Sequence, residues 1–115
     1  MNWSEFAADW EAGWNSHDLN RIMKHYRDDI EFRSRKALDL VGQGELKGVK
    51  ELRAYWAAAL ERQPDLRFKV QSVMAGHDMG VLVYTNHRNV LASEVLYVDD
   101  DNKVYRAAAC HQVAQ

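Results

Sequence analysis

The sequence lacks paired cysteines, long apolar runs and an excess of charge of either sign. Its single cysteine, Cys110, cannot form an internal disulfide, and inside an apolar segment a thiol behaves as a small hydrophobic side chain. The apolar stretches are far too short to cross a bilayer. Fifteen basic and seventeen acidic residues are interleaved, so they create no positive field that would attract nucleic acid or an anionic membrane. We therefore expect neither of these as a partner.

Several short chemical motifs are also missing. The sequence has no glycine-rich phosphate loop and no nucleophile elbow, so nucleotide binding and covalent acyl transfer have no support. Its five histidines show no metal-ligand spacing such as a His-x-x-x-His pair on one helix, and we expect neither a metal nor a cofactor. The first residues lack the basic segment and apolar run of a secretory signal, which predicts a cytoplasmic protein.

What is present fits one globular domain that spans residues 1–115. The chain has 115 residues, of which 47% are hydrophobic and 28% are charged, and this balance is typical of a protein with a single hydrophobic core. No repeat, low-complexity segment or linker divides the chain.

Three helices are predicted before residue 66. The first carries a tryptophan stripe, because its large apolar residues recur at intervals of three, four and four: Trp3, Phe6, Trp10 and Trp14. The second is capped by Asp18, ends at residues 28–29, and has these apolar positions: Leu19, Ile22, Met23 and Tyr26. The third begins near Gly48 and ends at residues 63–65, where Pro64 stops it.

Strands dominate the rest of the chain. Alternating apolar and polar residues predict a short strand over residues 30–34 and another over 66–71, whereas residues 35–47, with two glycines, predict a loop. Three further strands are predicted at 79–87, 91–98 and 103–113. Because helices precede strands, the predicted fold class is α+β, with three helices packed on a curved, mainly antiparallel sheet.

The turn at residues 99–102 sets the register of the last two strands. If Val98 lies opposite Lys103, the antiparallel ladder places Glu94 opposite Ala107. Side chains two residues apart share a face, so Glu94 would then face the same side as the following residues: Ala92, Leu96, Ala107, Ala109 and His111. Three alanines around a carboxylate leave room for a ligand.

Glu94, His111 and the tryptophan stripe can each have a functional or a purely structural role. On an apolar face the Glu94 carboxylate loses hydration, which raises its pKa and can keep it protonated as a hydrogen-bond donor or general acid. On a solvated face it would instead pair with a neighbouring arginine. His111 is either a nearby base or a structural histidine. The tryptophan stripe is either ordinary core or the wall of an aromatic cavity.

Three stretches resemble the SnoaL-like and nuclear-transport-factor-like superfamily, which includes polyketide cyclases and ketosteroid isomerases. They are Trp-Asn-Ser-His-Asp-Leu at 14–19, His-Tyr-Arg-Asp-Asp-Ile-Glu-Phe at 25–32, and the helix that opens at 47–48 and carries Tyr55-Trp56. The aspartate-rich turn followed by residues 103–106 fits the last hairpin of that superfamily. The resemblance covers essentially the whole chain, and it implies a cone-shaped fold, a cavity between sheet and helices, and commonly a dimer.

The site of the ketosteroid isomerases carries over only in part. The position of their catalytic tyrosine falls at Trp10 and that of its supporting tyrosine at Trp56. The general-base aspartate falls at Ser34, which cannot accept a proton at neutral pH. Their oxyanion-stabilising acid finds an equivalent at Glu94, and a tryptophan of the last strand falls at His111. The resemblance therefore makes classical steroid isomerase activity a poor expectation.

Two functions stay open at this point. In the first, the protein is a cofactor-independent cyclase, isomerase or hydratase that acts on a small apolar carbonyl compound, with Glu94 polarising the carbonyl and His111 as the base. In the second, it is a non-catalytic ligand-binding or dimerisation module. Depending on the length of the turn that follows, either Tyr84 with Asn86 or Val83 with Thr85 points inward, and the resemblance favours the first pair. The cavity is expected to be lined by these residues: Trp10, Trp14, Phe32, Ser34, Trp56, Tyr84 and Asn86.

The outer face of the sheet predicts a homodimer. In the register given above, the side opposite Glu94 carries a set that is too apolar for a wholly solvated face: Leu91, Ser93, Val95, Tyr97, Val104, Arg106, Ala108, Cys110 and Gln112. The helices can cover only one side of a sheet. A second copy of the chain is the commonest cover for the other.

Overall fold

A computed structural model describes residues 1–114, which form four helices and six strands, with all the helices before the last four strands. The helices are α1 (Trp3–Ser16), α2 (Leu19–Met23), α3 (Arg35–Val41) and α4 (Val49–Arg62). The strands are β1 (Tyr26–Ser34), β2 (Glu45–Lys47), β3 (Lys69–Gly76), β4 (Met79–Thr85), β5 (Leu91–Val98) and β6 (Val104–His111).

Side-chain caps fix where the first two helices begin. Asn2 accepts a hydrogen bond from the N–H of Glu5 and starts α1. Asp18 accepts hydrogen bonds from the N–H groups of Asn20 and Arg21 and starts α2, as predicted. The predicted first and third helices are confirmed as α1 and α4.

Two predicted boundaries near the middle of the chain are wrong. The second helix ends at Met23 instead of at residues 28–29, because buried Tyr26 already belongs to β1. The segment predicted as a loop, 35–47, contains α3 and β2. Ser34 caps α3 by accepting a hydrogen bond from the N–H of Ala37, and buried Leu46 pairs β2 with β1. The structure therefore has four helices where three were predicted.

The strand predicted at 66–71 begins later, at Lys69. The reason lies in α1, where the side chain of Asn15 accepts a hydrogen bond from the Phe68 N–H at 2.7 Å and donates one to the Phe68 carbonyl at 2.9 Å. Asn15 thus satisfies both backbone hydrogen-bonding groups of Phe68, which a neighbouring strand would otherwise satisfy. The last predicted strand is also shorter than expected, since β6 spans only Val104–His111.

The six strands form one sheet in the order β2-β1-β6-β5-β4-β3. All neighbouring strands are antiparallel except β1 and β6, which run parallel and place β6 in the interior of the sheet. The helices pack on one face, where α1 contacts β3 and α4 contacts β1. The predicted α+β class with a mainly antiparallel sheet is confirmed.

The register of the last hairpin differs from the prediction by two residues. Glu94 lies opposite Ala109, whereas Ala107 was predicted. Because side chains alternate with a period of two, this shift moves Glu94 along its face without turning it over. Glu94 therefore still shares a face with His111, as expected.

Val104 was predicted on the wrong face of the sheet. Val98 pairs with Val104 instead of Lys103, and a β-bulge follows between Tyr97 and Val98. The bulge reverses the alternation of β6 at its first residue. Val104, which was predicted on the outer face, is therefore completely buried.

The hydrophobic core fills the space between the helices and the inner face of the sheet. Its largest fully buried side chains are Ile30, Phe32, Leu46, Leu52, Leu82, Leu96 and Val104. Within residues 1–114, none of the helices is long and apolar enough to span a membrane.

Candidate active site

A cavity lies between the helices and the inner face of the sheet. Strands β1, β4, β5 and β6 contribute to its floor, and α1, α4 and the segment before β3 contribute to its roof. The space open to the centres of water molecules is about 60 Å³, which is room for a few waters or a compact part of a ligand. All nine residues singled out from the sequence line this cavity: Trp10, Trp14, Phe32, Ser34, Trp56, Tyr84, Asn86, Glu94 and His111.

Seven aromatic side chains line the cavity, and several of them pack against one another. Trp10 stacks on Phe68, with ring centroids 5.4 Å apart and planes inclined by only 11°. Tyr84 packs against both rings, at 4.9 Å from Trp10 and 4.8 Å from Phe68. Trp14 meets Trp56 edge to face at 5.0 Å. These contacts give a narrow, apolar space that suits a flat aromatic or conjugated ligand.

Leu66 and Phe68 belong to the cavity wall but were not predicted to do so from the sequence, and both are held in place by residues at the end of α1. Phe68 is fixed by its two hydrogen bonds to Asn15, and the ring Nε2 of His17 lies 2.7 Å from the carbonyl oxygen of Leu66. Both Leu66 and Phe68 line the cavity. Their inward position depends on these contacts between distant residues, so no local pattern in the sequence signals it.

Glu94 is a buried carboxyl group on the floor of the cavity. Its side chain is only 3% exposed, and burial raises its pKa from 4.5 to about 8. Desolvation is the only cause of this shift, so no arginine or lysine of residues 1–114 compensates the charged form. The interpretation of Glu94 as a solvated, arginine-paired residue is therefore wrong. At neutral pH the group is mostly protonated and can donate a hydrogen bond.

His111 is the diagonal neighbour of Glu94 across the β5–β6 ladder. It pairs with Ala92, while Glu94 pairs with Ala109, so both side chains lie on the cavity face of the sheet as diagonal neighbours. Burial lowers the pKa of His111 to about 4, with a smaller contribution from the charge of Lys36. The imidazole is therefore neutral at pH 7. The cavity thus holds a carboxyl group that carries its proton beside an imidazole that can accept one.

One buried donor of the cavity wall, the indole Nε1 of Trp14, has no hydrogen-bond partner within residues 1–114. The indole of Trp10 lies within hydrogen-bonding reach of the buried Tyr26 hydroxyl, so these two groups can satisfy each other. Burial raises the pKa of Tyr26, and the charge of Glu94 raises it further. An unpartnered buried donor is costly, and a bound oxygen atom relieves that cost. The Trp14 N–H therefore favours a ligand that carries an acceptor oxygen.

Comparison with known proteins identifies the family. The SnoaL-like domain family matches residues 7–115. A SnoaL-like protein of unknown function from Burkholderia thailandensis is 34% identical, and its crystal structure covers 96% of this chain and 95% of its own, with a TM-score of 0.91. The chain belongs to the SnoaL-like family.

More distant structures share the fold of this SnoaL-like protein. AclR, a proposed hydroxylase from Streptomyces galilaeus, is 23% identical with a TM-score of 0.75, and the match covers 95% of this chain and 87% of AclR. TerC, which was co-crystallised with polyporic acid, is 15% identical with a TM-score of 0.78, over 94% of this chain and 89% of TerC. No curated protein matches the sequence significantly.

Ser34 has a structural task in this SnoaL-like protein. It occupies the position that the resemblance aligned with the aspartate base of the isomerases. Its hydroxyl oxygen accepts a hydrogen bond from the Ala37 N–H at 3.4 Å and caps α3, and the residue is 4% exposed. The side chain lines the cavity, but it cannot act as a base at neutral pH. Of the two residues, Ser34 and His111, only His111 can therefore be considered as a proton acceptor in the cavity.

A wider opening adjoins the cavity of this SnoaL-like protein. It has a volume of about 340 Å³ and shares four lining residues with the cavity: Lys36, Tyr55, Ala59 and Gln63. Lys36 was missed because α3, which carries it, was predicted as a loop. The only sequence signal for this position is a serine three residues before a buried alanine, which is typical of a helix cap.

Within residues 1–114 of this SnoaL-like protein, no three His, Cys, Asp or Glu side chains are grouped to hold a metal ion. The shortest of the carboxylate–imidazole pairs among the described residues lies outside the cavity, where the ring Nε2 of His25 is 2.6 Å from Asp9. Lys24 also lies within 3.2 Å of the same carboxylate. This cluster ties α1 to the start of β1.

Proposed function

We propose that this SnoaL-like protein binds a small, largely apolar carbonyl compound in its cavity, with Glu94 donating a hydrogen bond or a proton to the carbonyl oxygen. The observation that carries the proposal is the Glu94 carboxyl group, which is buried without a charge partner among the described residues and faces an aromatic cavity. A neutral acid in such a place is a strong donor toward an oxygen atom that gains negative charge.

The proposed chemistry is an enolisation. Neutral His111 removes a proton from the carbon next to the carbonyl, and the electrons of that C–H bond form a carbon–carbon double bond. The carbonyl π electrons move onto oxygen, which takes the proton or hydrogen bond of Glu94. Returning the proton to another carbon yields an isomer, whereas attack of the enol carbon on a second carbonyl of the same ligand closes a ring. Both outcomes need the same pair of residues.

Binding without catalysis is the second candidate. Two observations favour it: Ser34 is used as a helix cap at the position of the missing base, and the pKa of His111 at about 4 makes it a weak base. In this case the cavity and the Glu94 donor would serve recognition alone.

The first prediction separates these candidates. A panel of aromatic and polyketide-like carbonyl compounds, with polyporic acid included, is titrated while tryptophan fluorescence is followed. Binding should change the emission, because Trp10, Trp14 and Trp56 line the cavity. Compounds that bind are then incubated in heavy water, and deuterium uptake next to the carbonyl is measured by NMR. Catalysis should speed this uptake, and both uptake and binding should decline above about pH 8 as Glu94 loses its proton.

Substitutions of Glu94 assign its role. Glu94→Gln keeps a hydrogen-bond donor but no transferable proton, whereas Glu94→Ala removes both. A general acid loses deuterium uptake in both variants, but a donor to the oxyanion largely survives the glutamine change. Glu61→Gln, at an exposed position of α4, is the matched control. Equal ligand affinity and equal uptake in all four proteins would contradict the assignment of Glu94 to the site.

A further inference from the structure

The wider opening beside the cavity is lined by more positive than negative charge. Three cationic side chains line it, those of Lys36, Arg62 and Arg88, and Asp39 is its one acidic residue within the described part of the chain. Asp39 already pairs with Arg35, at 3.5 Å, and Arg35 is not one of the lining residues. We call this opening, defined by Lys36, Arg62 and Arg88, the basic mouth.

The basic mouth is positively charged, although the chain as a whole carries a net negative charge. The formal net charge is −2, yet none of the three cationic groups has a carboxylate within ion-pair distance among residues 1–114. Burial lowers the pKa of Lys36, and repulsion from Arg88 lowers it further. Because uncompensated like charges raise the free energy of the unliganded protein, an anion at this place relieves the repulsion.

Lys36 connects the basic mouth to the cavity. It lines both spaces, and it is close enough to His111 for its charge to disfavour the imidazolium form. Tyr55, Ala59 and Gln63 also line both, so the two spaces adjoin through a shared wall. A ligand long enough to span both spaces would contact Lys36, and its outer end would lie among the three cations.

We infer that the ligand is an oxo-acid, whose apolar body and carbonyl lie in the cavity and whose carboxylate is held at the basic mouth by Lys36, Arg62 and Arg88. This inference deepens the proposed function and rests on it, since it adds a charged end to the same carbonyl compound. The two ends use different chemistry: the protonated Glu94 serves a neutral oxygen, and the mouth serves a full negative charge.

The test compares acids with neutral partners of the same shape. The probes are three oxo-acids and their primary amides: 3-benzoylpropionate, 4-benzoylbutyrate and 4-acetylbenzoate. Affinities are measured by calorimetry at two salt concentrations. We expect each acid to bind more tightly than its amide, and the difference to shrink at high salt because the mouth is exposed to solvent. Phenyl phosphate is compared with benzoate to separate a phosphate from a carboxylate.

Variants locate the effect. The double variant Arg62→Gln with Arg88→Gln changes residues that line the mouth but not the cavity, and it should weaken binding of the acids by about five- to twentyfold and leave the amides within twofold. The matched control is Lys50→Gln with Arg67→Gln, which removes two positive charges from exposed positions that line neither space. The control should leave the acids within twofold.

Each of the other possible results contradicts a specific part of the inference or of the proposed function. If amides bind as tightly as acids, the carboxylate inference fails, while binding of the amides keeps the proposed carbonyl site. If the control variant weakens the acids as much as the mouth variant does, the effect comes from overall charge and the mouth is not the site. Tighter binding of phenyl phosphate than of benzoate would overturn the carboxylate in favour of a phosphate. Failure of every acid and every amide to bind would remove the cavity as a ligand site, and with it both proposals.

Discussion

At the scale of single residues, Glu94 links the stability of the protein to pH. Its pKa is about 8 in the folded protein against 4.5 as the ordinary value. Below about pH 4.5 both the folded and the unfolded chain carry the proton, so the group has no effect. Between about pH 4.5 and 8 the unfolded chain loses the proton first, so the free energy of unfolding falls as pH rises, by about 1.4 kcal/mol per pH unit.

We therefore predict that Glu94→Gln becomes progressively more stable than the wild type as pH rises from 5 to 8. The difference should change by about 3 to 4 kcal/mol over this range and level off above it. Urea denaturation at each pH measures the free energy of unfolding of both proteins. The titration of His111 is common to both and cancels in the difference. Glu61→Gln is the control, and a pH dependence of Glu94→Gln that matches it would contradict a raised pKa at Glu94.

The inward orientation of Glu94 could be predicted from the sequence because it depends only on the parity of the strand. The predicted pairing was off by two residues, but alternation with a period of two made the error harmless for Glu94 and His111. For Val104 the same reasoning was wrong, since a bulge changes parity and nothing in the sequence marks one at Tyr97. Tyr84 is buried and lines the cavity, as the resemblance favoured.

At the scale of elements, α1 packs closely on β4 where Trp3 lies over Gly80. A Cβ atom added to Gly80 would lie 2.6 Å from the indole ring of Trp3, nearer than non-bonded atoms approach. We predict that Gly80→Ala lowers the free energy of unfolding by about 1 to 3 kcal/mol, because the indole must move away from the sheet. Gly76→Ala, in the neighbouring strand, should cost less, since its Cβ meets the flexible side chain of Met79 at 3.0 Å. Urea denaturation compares the two, and equal losses would show that Trp3 is not the cause.

The elements that escaped prediction are the short ones. α3 has seven residues and β2 has three, which is too little for either periodicity to emerge. β2 exists because Leu46 and Phe32 face each other across a ladder with β1, and this contact becomes visible only once the sheet is assembled. The basic mouth was missed for the same reason, since Lys36 reaches it from α3.

At the scale of the whole molecule, the outer face of the sheet has no cover within residues 1–114. Val81, Val95 and Ala108 form a row across β4, β5 and β6, and each is only half-buried. We propose a homodimer built on this row, because a second copy of the same face covers it with two-fold symmetry.

The dimer prediction concerns mass in solution. Light scattering at micromolar concentration should give twice the mass of the chain for the wild type and a single mass for Val95→Glu combined with Ala108→Glu, since facing carboxylates repel across a two-fold axis. These changes leave the side chains on the Glu94 face of the sheet unaltered, so the variant should keep its affinity for ligands of the cavity. A wild-type monomer contradicts the prediction, and a dimer that survives both substitutions places the interface elsewhere.

The interior position of β6 also governs the order in which the protein can be completed. β6 is the last of the described strands to be synthesised, yet it lies between β1 and β5 and pairs with both. Until it leaves the ribosome, those two strands have open edges toward each other, and His111 is not yet available to the cavity. The pairing of Phe32 with Ala107 closes a loop that holds most of the chain, and contacts of such large sequence separation are typical of slow-folding topologies. The strand that joins β1 to β5 is thus also the strand that brings His111 to the face that carries Glu94.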